Sequence, residues 1–368
     1  MDRDETFMAH ALKLAQQGGR AVAPNPMVGA VVVHNGSVIG QGFHQRYGGP
    51  HAEVHALESV DDRSLLSSST LYVTLEPCSH FGKTAPCADL VISSGIRRVV
   101  VGCRDPFPAV AGRGIAKLTS AGVSVTENIL RDQCTFANRR FITAHKEGRP
   151  YIILKWAQTS DGFMAPEERS RLSISCQESH RLVHEWRAQE MGILVGRSTA
   201  EIDNPQLTVR LAAGENPTRI VIDPQLSLDP SLNVFDPQAP TIVVNTVREG
   251  FQGSVHRLRI EPASWSCQEI CSALARQGLT SVLVEGGART LAAFIESGMW
   301  DEARIFTAPT QLARGVAAPH LAGIPGHESA VGIDTLRFLY NPDLPSRLGL
   351  SDYSLLKTTA AVHHAVEA

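Results

Sequence analysis

The stretch that decides the fold of the first half of the chain is His51-Ala52-Glu53, followed by Glu76-Pro77-Cys78 and then by Cys87. One imidazole and two thiolates are good ligands for zinc. A glutamate two residues past the histidine can move protons beside the metal. The stretch therefore predicts a zinc site made by His51, Cys78 and Cys87, with Glu53 next to it.

Three protein ligands leave the fourth position of a tetrahedral zinc ion open, which is typical of catalytic sites, whereas structural zinc is usually closed by four. Zinc lowers the pKa of bound water from about 15.7 to about 7. We therefore expect a zinc-activated water as the nucleophile, with Glu53 passing its proton to a ring nitrogen and then to the leaving amine. The predicted reaction is hydrolytic deamination of an amino-substituted heterocycle.

The spacing of the two cysteines differs from the general deaminase pattern, in which two residues separate them. Here eight residues lie between Cys78 and Cys87. Histidines and cysteines at this density can also be buried residues without a ligand role. The surrounding pattern favours ligands, because it predicts a hairpin at Asn35-Gly36, a helix from His51 to Val60 and an apolar strand from Thr70 to Leu75.

The composition limits the other classes of protein to which the chain can belong. The chain has 368 residues, with 34 Lys and Arg against 37 Asp and Glu, and no basic block interleaved with aromatic residues. This balance does not predict a nucleic-acid partner. The sequence shows neither an apolar signal core nor an apolar run of about 18 residues, so we expect a cytoplasmic protein that does not enter a membrane. Seven cysteines, two of them assigned to metal, do not predict a disulfide framework.

Strands and helices alternate along the whole chain, which predicts an α/β fold made of two three-layer domains. The polar, punctuated segment 145–150 marks the boundary, with residues 1–146 in the first domain and 147–368 in the second. In the second domain, the strand ending at Glu285 runs into Gly286-Gly287, where doubly wound folds place ligands. A Gly-Gly pair is more often a plain turn, so the residues alone predict an α/β domain that binds a phosphate or a nucleotide. The segment from Asp223 to Pro240 is predicted to be a surface excursion.

Four specific motifs lie between residues 24 and 210: Pro24-Asn-Pro-Met-Val-Gly29, Gly49-Pro-His-Ala-Glu53, Thr74-Leu-Glu-Pro-Cys-Ser-His80 with Gly82-Lys-Thr-Ala-Pro-Cys87, and Asp203-Asn-Pro-Gln-Leu-Thr-Val-Arg210. With them the chain resembles, over nearly its whole length, the bifunctional riboflavin-biosynthesis family. That family joins a diaminohydroxyphosphoribosylaminopyrimidine deaminase to a 5-amino-6-(5-phosphoribosylamino)uracil reductase. The long spacing between the cysteines is usual in this family.

The resemblance implies a cytidine-deaminase-like domain followed by a dihydrofolate-reductase-like domain, and two successive reactions. The first deaminates 2,5-diamino-6-(5-phosphoribosylamino)pyrimidin-4-one at the zinc site. The second uses NADPH to reduce the ribosyl group to a ribityl chain. The enzyme is thus expected to be both a hydrolase and an oxidoreductase, to act on a small phosphorylated pyrimidine and to form a homo-oligomer.

The resemblance also assigns residues by position. It makes His51, Cys78 and Cys87 the zinc ligands and Glu53 the proton shuttle. It implies further contacts to the deaminase substrate from Asn25, His44, His80 and Lys83. For the reductase it implies NADPH contacts from Thr199, Asp203 and the backbone from Gly287 onward, and substrate contacts from Lys155, Arg187, Leu207, Arg210 and Glu285. Arg187 and Arg210 suit the 5′-phosphate, because a guanidinium binds phosphate through two parallel hydrogen bonds.

Departures from the family pattern and other classes leave alternatives open. The segment from Arg171 to Ser175, and Pro224, differ from the usual residues, so the reductase half is alternatively impaired or used only for binding. A nucleic-acid deaminase would have the shorter cysteine spacing and a basic groove. A regulatory protein with structural zinc would need a fourth ligand and would have no use for Glu53. The sequence does not fix the oligomeric state, transfer of the intermediate between the sites or the preference for NADPH over NADH.

Overall fold

The computed structural model describes residues 2–79, 86–106, 111–168 and 172–358. The described chain divides into two compact units. The first unit runs to Glu147 and also includes Arg347–Leu355, while the second contains Gly148–Ser346 and residues 356–358. Each unit is described separately below.

The first unit alternates strands and helices as the sequence pattern predicts. The predicted hairpin at Asn35-Gly36 is present, because the two flanking strands pair antiparallel around it. The helix that follows the strands begins one residue after His51 rather than at it. The elements are α1 (Arg3–Gln16), β1 (Gly29–His34), β2 (Ser37–Phe43), α2 (Ala52–Glu58), β3 (Thr70–Leu75), α3 (Cys87–Ser93), β4 (Arg98–Cys103), α4 (Arg113–Ser120), β5 (Ser124–Thr126), α5 (Arg131–Ala137) and α6 (Arg139–Glu147).

The sheet of the first unit is buried on both faces. Its strand order is β2-β1-β3-β4-β5, with β3, β4 and β5 parallel and β1 antiparallel to both neighbours. Successive side chains of a strand point to opposite faces. Val32 therefore joins the core beneath α2, α3 and α4, while Val31 and Val33 join the core beneath α1 and α5. The result is the predicted three-layer α/β architecture.

The second unit contains a longer series of strands. Its described helices and strands are β6 (Tyr151–Thr159), β7 (Phe163–Ala165), α7 (Gln177–Gln189), β8 (Gly192–Gly196), α8 (Arg197–Asp203), β9 (Thr218–Ile222), β10 (Thr241–Asn245), β11 (Gly250–Gln252), β12 (Val255–Arg259), α9 (Cys267–Arg276), β13 (Ser281–Val284), α10 (Ala288–Glu296), β14 (Glu302–Ala308), β15 (Val316–Ala317), β16 (Ile324–Val331) and β17 (Asp334–Tyr340). Two short helices, α11 (Leu344–Leu348) and α12 (Leu355–Thr358), follow.

The main sheet of the second unit has ten strands in the order β11-β12-β10-β9-β8-β13-β6-β14-β17-β16. Its middle, from β12 to β14, is parallel, and antiparallel strands lie at both edges. Helices α9 and α10 pack on one face and α8 packs on the other. A parallel sheet covered on both faces is the three-layer arrangement that the alternation predicts. Within the described ranges, no helix is long and apolar enough to cross a membrane.

Two segments differ from the sequence predictions. The segment from Asp223 to Pro240 is not only a surface excursion, because Leu228 and Val234 are buried in the core beneath α8. The polar boundary segment is also partly helical, since α6 continues to Glu147. Polar residues on the exposed side of a helix have the same composition as a linker, which explains the second difference.

Candidate functional site

The three predicted zinc ligands lie together in the first unit. His51 precedes the first residue of α2, Cys78 lies three residues after the end of β3, and Cys87 is the first residue of α3. The His51 Nδ1 atom is 3.2 Å from the Cys87 sulfur and 3.6 Å from the Cys78 sulfur. All three donor atoms lie within 4.8 Å of one another. The fold thus brings two helix starts and one strand end to a single point.

These donors fit a zinc ion. Zinc bonds to sulfur at about 2.3 Å and to imidazole nitrogen at about 2.0–2.1 Å in a tetrahedral arrangement. Such bonds place neighbouring ligand atoms about 3.5 Å apart, as the observed separations do. Among the described residues, the cluster contains three ligands. This donor set leaves one tetrahedral position for a water or a substrate atom.

The two thiols differ in their acidity because they share a hydrogen bond. Hydrogen bonding from Cys87 lowers the pKa of Cys78 to about 4, with further lowering from His51. The same contact, together with burial, raises the pKa of Cys87. The backbone N–H of Cys87 also donates to the Cys78 sulfur at 3.3 Å. Cys78 is therefore held as a thiolate even before a metal is considered.

Glu53 lies in the first turn of α2 and its side chain is buried. Burial, together with the negative charge on Cys78, raises the pKa of Glu53 to about 7. A carboxyl group with a pKa near neutrality can both accept and release a proton at working pH. These properties suit the predicted proton shuttle.

Asn25 and His44, which were predicted to contact the deaminase substrate, lie together beside the metal ligands. The Asn25 amide nitrogen is 3.2 Å from His44 Nε2, and the rings of His44 and His51 meet edge to face with centroids 5.5 Å apart. His44 Nδ1 donates to the Pro50 carbonyl at 2.9 Å, so Nε2 is the acceptor for Asn25. Burial lowers the pKa of His44, which favours this neutral tautomer. The other two predicted contacts, His80 and Lys83, lie outside the described residues.

Sequence reasoning gave no role to two buried polar residues near this site. The Asn138 amide receives the Met27 N–H at 2.8 Å and donates to the Met27 carbonyl at 3.0 Å, which fixes the segment that contains Asn25. Glu76 binds backbone amides of the chain leading into α4. For Glu76 the sequence did contain a signal, because a charged residue directly follows the predicted strand that ends at Leu75. Asn138 lies 111 residues from Met27, and the sequence gives no indication of that contact.

In the second unit, three predicted substrate residues form one charged cluster. Lys155 is on β6, Arg187 is on α7 and Glu285 directly follows β13. The Arg187 guanidinium meets both Glu285 oxygens at 2.9 Å, and the Lys155 Nζ lies 3.9 Å from the same carboxylate. Their side chains are between 10% and 14% exposed. The Arg187 fork, which was predicted to hold phosphate, is thus engaged by Glu285.

The charges of the cluster set one another's protonation. Burial alone would raise the pKa of Glu285, but the charges of Arg187 and Lys155 and the hydrogen bonds from Arg187 lower it to about 2. Burial lowers the pKa of Lys155, against the opposing effect of Glu285. Glu285 is therefore held as a carboxylate between two basic side chains, Arg187 and Lys155.

Leu207 and Arg210 lie beside this cluster. Leu207 is buried and has a φ of 56°, a left-handed conformation that costs a non-glycine residue about 1–3 kcal/mol. The Arg187 guanidinium also donates to the Thr208 carbonyl at 3.3 Å, and the Arg210 N–H donates to His184 Nδ1 at 3.0 Å. The turn from Leu207 to Arg210 is thereby fastened to α7.

The three residues predicted to contact NADPH lie near the carboxyl ends of β8 and β13. Thr199 and Asp203 are four residues apart on α8, so their side chains lie on one face of that helix. The Gly287 N–H donates to the Thr199 hydroxyl at 2.9 Å, and a Cβ on Gly287 would lie 3.0 Å from that oxygen. Gly287 precedes the nine-residue helix α10, whose N-terminus favours phosphate. The close approach of the Gly287 backbone to Thr199 and the N-terminus of α10 both suit the binding of a dinucleotide phosphate.

Comparison with known proteins identifies the family of each of the two units. The cytidine and deoxycytidylate deaminase zinc-binding region matches residues 1–103, and the RibD C-terminal domain matches residues 150–328. The riboflavin biosynthesis protein RibD of Aquifex aeolicus is 39% identical over 319 residues, covering 85% of this chain and 89% of that protein. The chain belongs to the RibD family. RibD of Bacillus amyloliquefaciens is 38% identical over 91% of this chain and 92% of its own length.

A solved structure supports the same assignment for the fold. The crystal structure of the diaminohydroxyphosphoribosylaminopyrimidine deaminase/5-amino-6-(5-phosphoribosylamino)uracil reductase of Thermotoga maritima has a TM-score of 0.84 and 36% identity. The match covers 92% of this chain and 99% of that chain. The predicted family and fold class are therefore confirmed. The RibD-family domains also confirm the predicted cofactors, zinc for the first unit and NADPH for the second.

Proposed function

We propose that the chain catalyses both reactions of its family, deamination of 2,5-diamino-6-(5-phosphoribosylamino)pyrimidin-4-one followed by reduction of the ribosyl group. The observation that carries the proposal is the cluster of His51, Cys78 and Cys87 beside the buried Glu53, in a chain that also contains the RibD reductase domain. Neither the described residues nor the comparisons favour the alternative of an impaired reductase.

In the first reaction, water replaces the ring amine and ammonia leaves. His51, Cys78 and Cys87 would hold the zinc ion, which when bound would supply a Lewis acid that activates water at neutral pH. The Glu53 carboxylate takes a proton from the attacking water, gives it to a ring nitrogen and then moves a proton to the leaving amine. Its raised pKa of about 7 matches both tasks.

Substrate recognition in the first unit is assigned to Asn25 and His44, with His80 and Lys83 added from the family resemblance. The proposal for the first two is supported by their position beside His51. His44 Nδ1 donates to the Pro50 carbonyl and His44 Nε2 accepts from the Asn25 amide nitrogen, so His44 orients the Asn25 side chain. A side-chain amide can both donate and accept hydrogen bonds, as recognition of an aminopyrimidinone ring requires.

In the second reaction, bound NADPH would supply a hydride for C1 of the ribosyl group. The bond between C1 and the ring oxygen breaks and that oxygen takes a proton, so the sugar becomes an open ribityl chain with two more hydrogens. We assign NADPH contacts to Thr199, Asp203 and the backbone from Gly287 onward, and substrate contacts to Lys155, Leu207 and Glu285. The protein's contribution is to orient the two reactants and to exclude water. Lys155 and Glu285 are nearly buried, which supports such a site.

The 5′-phosphate is assigned chiefly to Arg210. Two parallel N–H groups of Arg187 already donate to the Glu285 carboxylate. In this proposal Arg187 therefore orients Glu285 and adds positive charge, and it does not bind the phosphate alone. Arg210 is placed next to this pair by its backbone contact with His184. The cluster has two basic side chains against one carboxylate, which favours a phosphorylated substrate over its dephosphorylated form.

Mass spectrometry of the products tests the proposed function. The purified chain is given the diamino phosphoribosylaminopyrimidinone with and without NADPH. Exchange of the amine for a carbonyl oxygen without cofactor, and a gain of two hydrogens after NADPH is added, are the expected results. The first change alone would leave only the deaminase, and neither change in zinc-loaded protein would refute the assigned substrate.

A homo-oligomer remains a prediction from the family resemblance, and the lack of a nucleic-acid partner remains a prediction from the charge balance and the cysteine spacing. Light scattering coupled to size-exclusion chromatography measures the first, with a mass of 39.7 kDa expected for a monomer and a multiple of it for the oligomer. A single monomeric species over the accessible concentration range would contradict it.

A further inference from the structure

Glu76 is a buried carboxylate with an unusual number of backbone partners. Its side chain is fully used: one oxygen accepts from Gly114 N at 2.9 Å and Ile115 N at 3.3 Å, and the other accepts from Gly112 N at 2.9 Å and Asp105 N at 3.3 Å. The residue is 3% exposed. Glu76 thereby fastens the end of β3 to the first turn of α4.

The backbone of Glu76 is fixed as well. Its N–H donates to the Cys103 carbonyl at 2.9 Å, which extends the pairing of β3 with β4 by one residue. Pro77 follows, and its ring restricts the backbone to a narrow range of φ. The next residue is Cys78, whose carbonyl accepts from Ala88 N at 3.1 Å. The metal ligand Cys78 is thus held between the Glu76 contacts on one side and α3 on the other.

Close packing allows this arrangement. A Cβ placed on Gly114 would lie 2.0 Å from the Pro77 carbonyl oxygen and 3.2 Å from a Glu76 carboxylate oxygen. The first turn of α4 therefore rests directly on the Pro77 peptide, and residues larger than glycine would displace one from the other. Only Pro77, whose φ is restricted, separates Glu76 from Cys78, so a shift of the Glu76 contacts with α4 would move the Cys78 sulfur.

We propose that Glu76 is a positioning residue for the metal centre, which sets the Cys78 sulfur by clamping the Glu76-Pro77 backbone onto α4. The inference rests on the proposed zinc site of His51, Cys78 and Cys87. A carboxylate is required because it offers acceptors on both oxygens for four N–H groups, whereas a glutamine amide turns an N–H₂ group toward donors. Groups that orient metal ligands typically change metal affinity by about 10–100-fold when they are altered.

The chain offers a matched control at Asp132 on α5. Asp132 is also a buried carboxylate that accepts backbone amides, from Ser351 N and Asp352 N at 2.9 Å each. Helix α5 packs on the sheet face opposite to α2 and α3, which bear metal-site residues. Asp132→Asn therefore alters a comparable buried carboxylate of the same unit without altering the backbone next to Cys78.

The test measures zinc release from the full-length, zinc-loaded chain to an excess of a chromogenic chelator, alongside the thermal unfolding midpoint. We expect Glu76→Gln and Gly114→Ala each to release zinc about 10-fold faster than wild type or more. Asp132→Asn should lower the unfolding midpoint but release zinc at the wild-type rate. The Gly114 variant perturbs the same junction from the helix side, so the test stands if Glu76→Gln fails to fold.

The possible outcomes distinguish a failure of the positioning role of Glu76 from a failure of the proposed zinc site. Wild-type release rates in both junction variants, or equally fast release from Asp132→Asn, would overturn the positioning role. A wild-type chain that holds no zinc, or a Cys78→Ser variant that retains zinc as wild type does, would instead refute the proposed metal site. Faster release confined to the junction variants supports the inference.

Discussion

The Arg187 guanidinium grips the Glu285 carboxylate through two parallel contacts, Nε to Oε1 and Nη2 to Oε2, each 2.9 Å long. Removing one member of a buried ion pair leaves the other charge without compensation, at a cost of about 3–5 kcal/mol. We therefore expect Glu285→Ala to lower the free energy of unfolding of the second unit by about this amount and to abolish reduction. Urea denaturation and an NADPH-oxidation assay measure the two effects.

The control for this change is Glu296→Ala, which removes an exposed carboxylate from α10 in the same unit. It should alter the unfolding free energy by less than about 0.5 kcal/mol. A Glu285→Ala variant as stable as this control would contradict the buried ion pair.

His184 makes the stability of the second unit depend on pH. Burial lowers the pKa of His184 to about 4, with the charges of Arg187 and Arg210 lowering it further, although Glu285 opposes them. The unfolded chain, in which a histidine has a pKa near 6.5, binds the proton more readily. Between pH 6.5 and 4 the unfolded state therefore holds more protons, so the free energy of unfolding falls as the pH is lowered.

Comparison of wild type with His184→Gln tests this pH dependence. Glutamine keeps an acceptor for the Arg210 N–H but cannot take a proton. We expect the loss of stability between pH 6.5 and 4 to be smaller in the variant but not abolished, because His180 of the same unit contributes in the same direction and remains. Urea midpoints at several pH values provide the measurement, and parallel curves for the two proteins would disprove the role of His184.

Replacement of Glu53 by Gln tests proton transfer separately from metal binding. The substitution keeps the size of the side chain but removes the base, so we expect deamination to fall by about 10²–10⁴-fold. Zinc content and reduction of the deaminated intermediate should remain. Glu58→Gln, an exposed change at the end of the same helix, is the control and should behave as wild type. Deamination by Glu53→Gln at the wild-type rate would exclude the assigned role.

Arg210→Ala tests phosphate recognition in the second unit. Hydrogen bonds to charged groups contribute about 1.5–3 kcal/mol, so the KM of the reductase for its phosphorylated substrate should rise by about 10–100-fold. The deaminase step should be unchanged. The exposed Arg276→Ala serves as a charge-matched control. On a dephosphorylated substrate analogue, Arg210→Ala and wild type should perform alike, and a persisting difference would argue against a phosphate contact.

The local patterns of the sequence predicted the central elements of both units well. The predicted strand from Thr70 to Leu75 has the same bounds in the structure, because its apolar, β-branched residues are buried and its end is marked by Glu76-Pro77. The cluster of His51, Cys78 and Cys87 was equally predictable, since its residue types and spacing are typical of a zinc site. Their meeting point follows from the parallel pairing of β3 with β4 and the helices that begin nearby.

Contacts between residues far apart in sequence could not be predicted in the same way. No local pattern indicates that Asn138 binds the backbone of Met27, or that Arg187 turns its donors to Glu285, 98 residues away. An arginine near a phosphate site and an arginine paired with a carboxylate have the same sequence appearance. The prediction of a surface excursion was wrong for a related reason, because Val234 packs in a core cluster with residues of β8, β9 and α8, which lie outside that segment.

The return of Arg347–Leu355 to the first unit affects how the gene can be divided. In that segment Gly349 accepts a hydrogen bond from Arg131 at 2.7 Å, and Ser351 donates to Asp132. A reading frame cut after the codon for Glu147 would encode a deaminase half without these partners, and α5 would lose its outer cover. Expression of the two activities as separate polypeptides would therefore require a grafted copy of this segment, because the first unit is continuous in space but not in sequence.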